Sequence, residues 1–201
     1  GVNDFVVKPF QPNEFARRML ARIREYESSR VAIAEIPAHE TAESFEGFIG
    51  TSPAMKEVYA QIERIASSKA PVFVTGESGT GKEVCAEALH IRSRCHSGPF
   101  IALNCGAIPK ELMESEIFGH VKGAFTSAHE DRAGAAELAN GGTLFLDEIC
   151  EMDFALQSKL LRFIQTGSFR RVGGAKEMKV NVRFVCATNR DPKEEVANGR
   201  F

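Results

Sequence analysis

No stretch of apolar residues in this chain approaches the ~18 needed to span a membrane. No basic-then-apolar leader opens it either. Membrane insertion and secretion are therefore not encoded in these residues, and a cytoplasmic location with no membrane partner is expected. No C-x-x-C pair occurs among Cys85, Cys95, Cys105, Cys150 and Cys186, and their number is odd. That argues against a zinc site or a disulfide framework and for a reduced chain. Neither charge is in excess: 25 Lys and Arg face 27 Asp and Glu, for a formal net charge of −2. A strongly basic nucleic-acid coat and an acidic tail are excluded, although a local patch is not. Low-complexity runs and internal repeats are also missing.

What remains is an ordinary globular composition, 43% hydrophobic and 26% charged, which is incompatible with bulk disorder. A chain of 201 residues accommodates one full domain and a piece of another. The first and last residues read as mid-domain sequence, so a fragment at both ends is expected. Asp4-Phe5-Val6-Val7-Lys8-Pro9 reads as a short buried strand stopped by proline. Residues 11–30 carry Phe15, Met19, Ile23 and Tyr26 at helical spacing. Periodicity then fades, and residues 31–47 read as a linker.

From Phe48 onward strands and helices alternate. Helices are expected over 52–68, 81–94, 109–118, 132–139 and 153–166. Strands are expected over 71–75, 99–104, 143–147 and 182–187, with a hairpin around Gly173-Gly174. Strands nearly free of polar residues, separated by amphipathic helices, imply an α/β fold: a mainly parallel sheet with helices on both faces.

Gly76-Glu77-Ser78-Gly79-Thr80-Gly81-Lys82 fits G-x-x-x-x-G-K between an apolar strand and a helix. Glycines let successive N–H groups converge on phosphate oxygens, the helix N-terminus adds partial positive charge, and Lys82 adds a full one. A hydroxyl residue usually follows the lysine to bind Mg²⁺; here it is Glu83. Its carboxylate either reaches the ion, directly or through water, or simply suits the first helical turn. Gly141-Gly142-Thr143-Leu144-Phe145-Leu146-Asp147-Glu148 is an apolar strand ending in two carboxylates. Ligands of doubly wound sheets sit beyond the carboxyl ends of the strands. Asp147 is thus placed to reach Mg²⁺ and Glu148 to act as general base on a water attacking the γ-phosphate of ATP.

These two motifs, together with Gly123-Ala124-Phe125-Thr126-Ser127-Ala128, resemble the NtrC family, bacterial AAA+ ATPases that activate sigma-54 RNA polymerase. The resemblance covers residues 48–201, and Glu83 is the family's usual residue after the lysine. It implies that Asn104 holds the catalytic glutamate switched off and that Asn189 senses the γ-phosphate. Without the resemblance, each is a strand-end asparagine capping a turn. It implies that a mobile loop carries Phe125 and Thr126 to sigma-54. Ser127 stands where the family usually has glycine, and its Cβ would oppose positive φ. Residues 1–30 resemble the end of a response-regulator receiver domain, with Lys8 as the phosphate-contacting lysine. The subgroup most resembled is the LuxO-type quorum-sensing regulators. The family's arginine fingers, helical lid and enhancer-DNA-binding domain would follow Phe201. A homo-oligomeric ring, hexameric in the intact protein, and an upstream phosphodonor of a phosphorelay are the further partners implied. The competing expectations are a nucleotide sensor without ATPase activity and an unrelated phosphate-loop kinase.

Overall fold

A computed structural model of the chain describes residues 44–201. The strand expected at 4–8, with Lys8, and the helix expected at 11–30 lie outside the described residues. The compact unit containing the described residues begins at Glu43.

Two short antiparallel strands come first, β1 (Ser44–Phe45) and β2 (Phe48–Ile49). The linker expected over 31–47 therefore ends earlier than its faded periodicity suggests. The cause is aromatic: Phe45 stacks on Tyr59 at 4.6 Å between centroids, and Phe48 lies 5.8 Å from the same ring. The intervening Glu46 and Gly47 both adopt positive φ, as a tight turn between twisted strands requires. Helix α1 (Pro53–Ala66) follows, capped by the Ser52 hydroxyl accepting from Met55 N–H, with proline at its first position.

The core sheet comprises β3 (Val72–Thr75), β4 (Phe100–Asn104), β5 (Thr143–Asp147) and β8 (Arg183–Thr188). All neighbours are parallel, in the order β3-β8-β5-β4. The central strands β5 and β8 are buried almost throughout, whereas the flanking β3 and β4 are half-exposed. Period-2 alternation splits the core. Leu144, Leu146, Phe184 and Cys186 pack on one face with α3 (Lys110–Phe118) and α5 (Phe154–Thr166). Phe145, Val185 and Ala187 pack on the other with α1 and α2 (Lys82–Ile91). The expected doubly covered parallel sheet is what the chain forms. The hairpin is β6 (Ser168–Arg170) with β7 (Glu177–Lys179), antiparallel.

Two helices differ from their expected extents, and one was not expected. The helix expected from 132 is the single turn α4 (Ala135–Leu138). Arg132 instead exchanges both backbone hydrogen bonds with His120, at 2.9 and 3.0 Å. Gly134 must then pass the 119 backbone so closely that a Cβ would meet Gly119 N at 2.1 Å. The helix expected over 81–94 ends at Ile91, where the Ser93 hydroxyl donates to His90 O at 2.7 Å and turns the chain. Helix α6 (Pro192–Ala197) has a short but legible signal, Asp191 as cap and Pro192 at the first position.

His90, buried on α2, lies with Nδ1 2.9 Å from Thr143 Oγ1 of β5. Burial, then the neighbouring His96 and Arg183, lowers its pKa below the ordinary 6.5. The unfolded chain thus takes up this proton more readily, so stability contributed by the neutral ring is present above pH 6.5 and falls as pH drops through and below it. His90→Gln should flatten that part of the stability–pH profile, measured by urea unfolding between pH 5 and 8; an unchanged slope would count against the linkage.

Candidate functional site

Every strand of the sheet delivers a polar residue to the same edge. β4 ends at Asn104 and β5 at Asp147, and the two face each other in register. β3 ends at Thr75 opposite Thr188, the last residue of β8. Gly76 N–H donates to Thr188 O at 3.3 Å, which ties the start of the glycine loop to β8. Gly79 and Gly81 adopt φ of +80° and +88°, conformations that favour glycine. Gly81 caps α2 with no side chain of its own, leaving the first N–H groups of that ten-residue helix facing the loop.

Lys82 is 8% exposed, and its ammonium donates to Gly76 O and Glu77 O, both at 3.0 Å. The Thr80 hydroxyl donates to Glu77 O at 2.8 Å. The loop is thus folded around its own lysine. Glu83 is exposed in the first turn of α2, and Ser78 is exposed at the crest of the loop. Beside the loop lies a cleft of ≈ 430 Å³ whose walls include Phe48, Met55, Ile62 and Val72. This apolar neighbour to a phosphate cradle was not singled out in the sequence; its one local signal was Phe48, just past the expected linker.

Asp147 and Glu148 sit where the sequence pattern puts them. Asp147 Oδ1 accepts from Glu148 N–H at 2.9 Å, leaving its second oxygen for another partner. Glu148 has φ of +53°, an unusual state for a side chain with a Cβ, typical of strained functional positions and costing on the order of 1–3 kcal/mol. Its Oε2 accepts from the backbone N–H of Asn189 at 3.3 Å. The general-base candidate and the sensor candidate are therefore in contact, through the asparagine's backbone.

Asn104 engages its own turn through its side-chain oxygen. Its Oδ1 accepts from Gly106 N–H at 2.9 Å and Ala107 N–H at 3.2 Å, capping the short 3-10 turn at Cys105–Ala107. Gly106 separates it from Glu148: a Cβ there would lie 3.3 Å from Asn104 Oδ1 and 3.6 Å from Glu148 Cβ. The turn-capping role is the one seen. Under this edge, the Cys105 thiol is pushed up to about 12 by burial and by the charge of Asp147, so it remains protonated and inert. All five cysteines are free.

Among the described residues no three His, Cys, Asp or Glu side chains converge as a metal site. The donors present, one open oxygen of Asp147 and the exposed Glu83, fit a magnesium ion that brings phosphate oxygens with it.

The loop 123–128 is a compact turn. Gly123 N–H donates to Ala128 O at 2.8 Å, and Ala128 N–H to Phe125 O at 3.0 Å. Phe125 is half-buried, not bare as its small neighbours suggest: its ring meets the His120 ring edge-on at 4.9 Å. His120 is itself buried, with Nδ1 2.7 Å from Ser115 Oγ. Thr126 and Ser127 are exposed. Ser127 is not among the residues with positive φ, so its Cβ is unstrained in this arrangement. Gly173 of the β6–β7 connection lies so close to Ala124 that a Cβ would approach Ala124 Cβ to 2.8 Å. The two loops are therefore packed together.

Residues 48–201 match the sigma-54 interaction domain family. The chain is 58% identical over its whole length to the luminescence regulatory protein LuxO of Vibrio campbellii, of which it covers 44%. It is 53% identical over 188 residues, 94% of the chain, to a Nif-specific regulatory protein of Rhodobacter capsulatus, covering 31% of that protein. The crystal structure of NtrX from Brucella abortus in complex with ATP superposes on all of the chain, with a TM-score of 0.69 and 34% identity, and the chain covers 44% of it. The chain thus spans less than half the length of these relatives.

Asn104→Ala should remove the cap of the 3-10 turn and cost about 1 kcal/mol in urea unfolding; no loss would mean that water caps the turn equally well.

Proposed function

Since the chain belongs to the sigma-54 interaction domain family, we propose that it is the ATP-hydrolysing core of a sigma-54-dependent transcriptional activator. The supporting observation is one sheet edge that carries the glycine loop of residues 76–82, the Asp147–Glu148 pair and Asn189, linked by the Gly76–Thr188 and Glu148–Asn189 hydrogen bonds. In this reading ATP lays its phosphates on the loop N–H groups, and Lys82 exchanges the carbonyls of Gly76 and Glu77 for phosphate oxygens. The apolar cleft beside Phe48 takes the base. Magnesium, carried by the nucleotide, supplies charge neutralisation at the phosphates.

Asp147 would hold the metal through its free carboxylate oxygen, and Glu83, in the first turn of α2, would be the second candidate to do so. Glu148 accepts the proton of the attacking water at its carboxylate. The amide nitrogen of Asn104, left over once its oxygen caps the turn, holds that carboxylate in the switched-off state. Asn189, whose backbone now binds Glu148, reports the γ-phosphate through its side chain. Residues 123–128, carried from their seat on His120 and Gly173, present Phe125 and Thr126 to the sigma-54 RNA polymerase holoenzyme. Gly123 supplies the hinge; Ala124, Ser127 and Ala128 keep the tip slim.

The intact protein acts as a homo-oligomeric ring, hexameric in our reading, in the cytoplasm. Alignment of all 201 residues with 44% of LuxO supports reading residues 1–30 as the last strand and helix of a receiver domain, with Lys8 in its phosphate site, a phosphodonor upstream, and a quorum-sensing role. Enhancer DNA is bound through a further domain of the intact protein. Arg170, Arg171 and Arg200 do not stand where arginine fingers, groups worth ~10³–10⁵ in rate, are expected, and Arg171 and Arg200 are paired with Glu137 and Glu195 at 2.7 Å. The 201 residues by themselves accordingly turn over ATP slowly.

Lys82→Ala should weaken binding of a fluorescent ATP analogue by roughly ten- to a hundredfold, from the loss of charge-assisted bonds. Unchanged affinity would reject the loop assignment. In the intact protein, Phe125→Ala should spare ATP hydrolysis and abolish promoter opening in a transcription assay with sigma-54 polymerase; loss of both together would make Phe125 an ordinary packing residue.

A further inference from the structure

The amino-terminal ends of the four parallel strands meet around a cleft of ≈ 480 Å³, far from the strand edge described above. The segments that lead into β3, β4, β5 and β8 all contribute to its wall. We propose that this cleft is a second anion-binding site, which takes a small phosphate-bearing molecule between Lys69, Arg94 and the guanidinium of Arg183.

Charge is the first argument. The chain has slightly more acidic than basic residues, yet among the described residues no carboxylate lines this cleft, while three cations do. Hydroxyls of Ser67 and Ser97 and the amide of Asn181 supply further neutral donors around them. Donors outnumber what one carboxylate can accept, whereas a phosphate offers three oxygens and two charges. The volume suits a small ligand rather than a lone water.

The state of Arg183 is the second and independent argument. It is only 7% exposed. Its terminal nitrogens donate to the last carbonyls of α1, Nη1 to Ala66 O and Nη2 to Ile65 O, the latter at 3.1 Å. Those carbonyls carry about half a negative charge between them, so the guanidinium is incompletely neutralised. Its Nε is buried with no hydrogen-bond partner, the one such side-chain atom among the described residues. A buried cation without a counter-ion is costly, and an anion in the adjoining cleft offsets that cost. Burial also weakens this guanidinium's hold on its proton, as expected of an uncompensated charge.

The site shares no residue with the nucleotide edge, so it stands or falls independently of the ATPase reading. Its test is a titration of the isotopically labelled chain with inorganic phosphate at constant ionic strength, following backbone amide shifts. Saturable shifts at residues 67–69, 94–97 and 181–183, separate from any at 76–82, are expected. Lys69→Glu combined with Arg94→Glu should weaken them about tenfold or more while leaving the thermal midpoint unchanged. Both residues are exposed, so the fold does not depend on them. Arg183 is left intact because it also anchors α1. Alkylation of Cys95, at the wall of the cleft, should slow in parallel as phosphate is added. No saturable shifts at these residues, equal binding by the double variant, the same shifts with chloride, or tighter binding of citrate than of phosphate would each overturn the proposal.

Discussion

Parallel pairing of β5 with β8, and of each with its outer neighbour, is the constraint on which the rest of this molecule depends. In a parallel sheet all strands finish on the same side, so whatever follows each strand is forced into a common crevice. Here the strand ends bring a glycine loop, a turn-capping asparagine, two carboxylates and Asn189. None of these is a neighbour of the others in sequence; register alone brings Asn104 opposite Asp147 and Thr75 opposite Thr188. The apolar character of Leu144–Leu146 and Phe184–Ala187 is therefore a statement about function as much as about folding. Only strands buried on both faces can sit at the centre and hold the edge rigid.

Lys82 and Glu148 at this edge are satisfied internally, and in ways that a nucleotide would exchange. The ammonium of Lys82 sits on two carbonyls of its own loop. Glu148 leans on an Asn189 N–H from a left-handed backbone conformation. These are weak, replaceable contacts around fixed backbone, the arrangement expected where a ligand shifts a population between two states. The loop at 123–128 has the same character, held by one aromatic contact with His120 and by the bare Cα of Gly173.

Most of the fold was legible in the sequence because its signals are local. Apolar runs gave β3, β4, β5 and β8, the Ser52-Pro53 start gave α1, and G-x-x-x-x-G-K located the loop. What was missed depends on contacts distant in sequence. Ser44–Phe45 became a strand because Tyr59, on the next helix, stacks on its phenylalanine. The helix expected from 132 lost its first turn to a backbone exchange with His120. The seat of Phe125 on a buried histidine is not deducible from composition or spacing, whereas the turn-capping posture of Asn104 was one of the two readings its strand-end position offered. The anion cleft at the opposite end of the sheet is assembled from four separate loops, and no motif marks it.

Residues 76–82 and the Asp147–Glu148 pair at the end of β5 are read as one nucleotide site. A crystal structure of the chain with a non-hydrolysable ATP analogue and magnesium tests it most directly. Phosphate density within the glycine loop is expected, with Lys82 Nζ transferred from the Gly76 and Glu77 carbonyls to phosphate oxygens and Asp147 facing the metal. Lys82 still on those carbonyls, or Asp147 and Glu148 directed away from a nucleotide bound elsewhere, would contradict it.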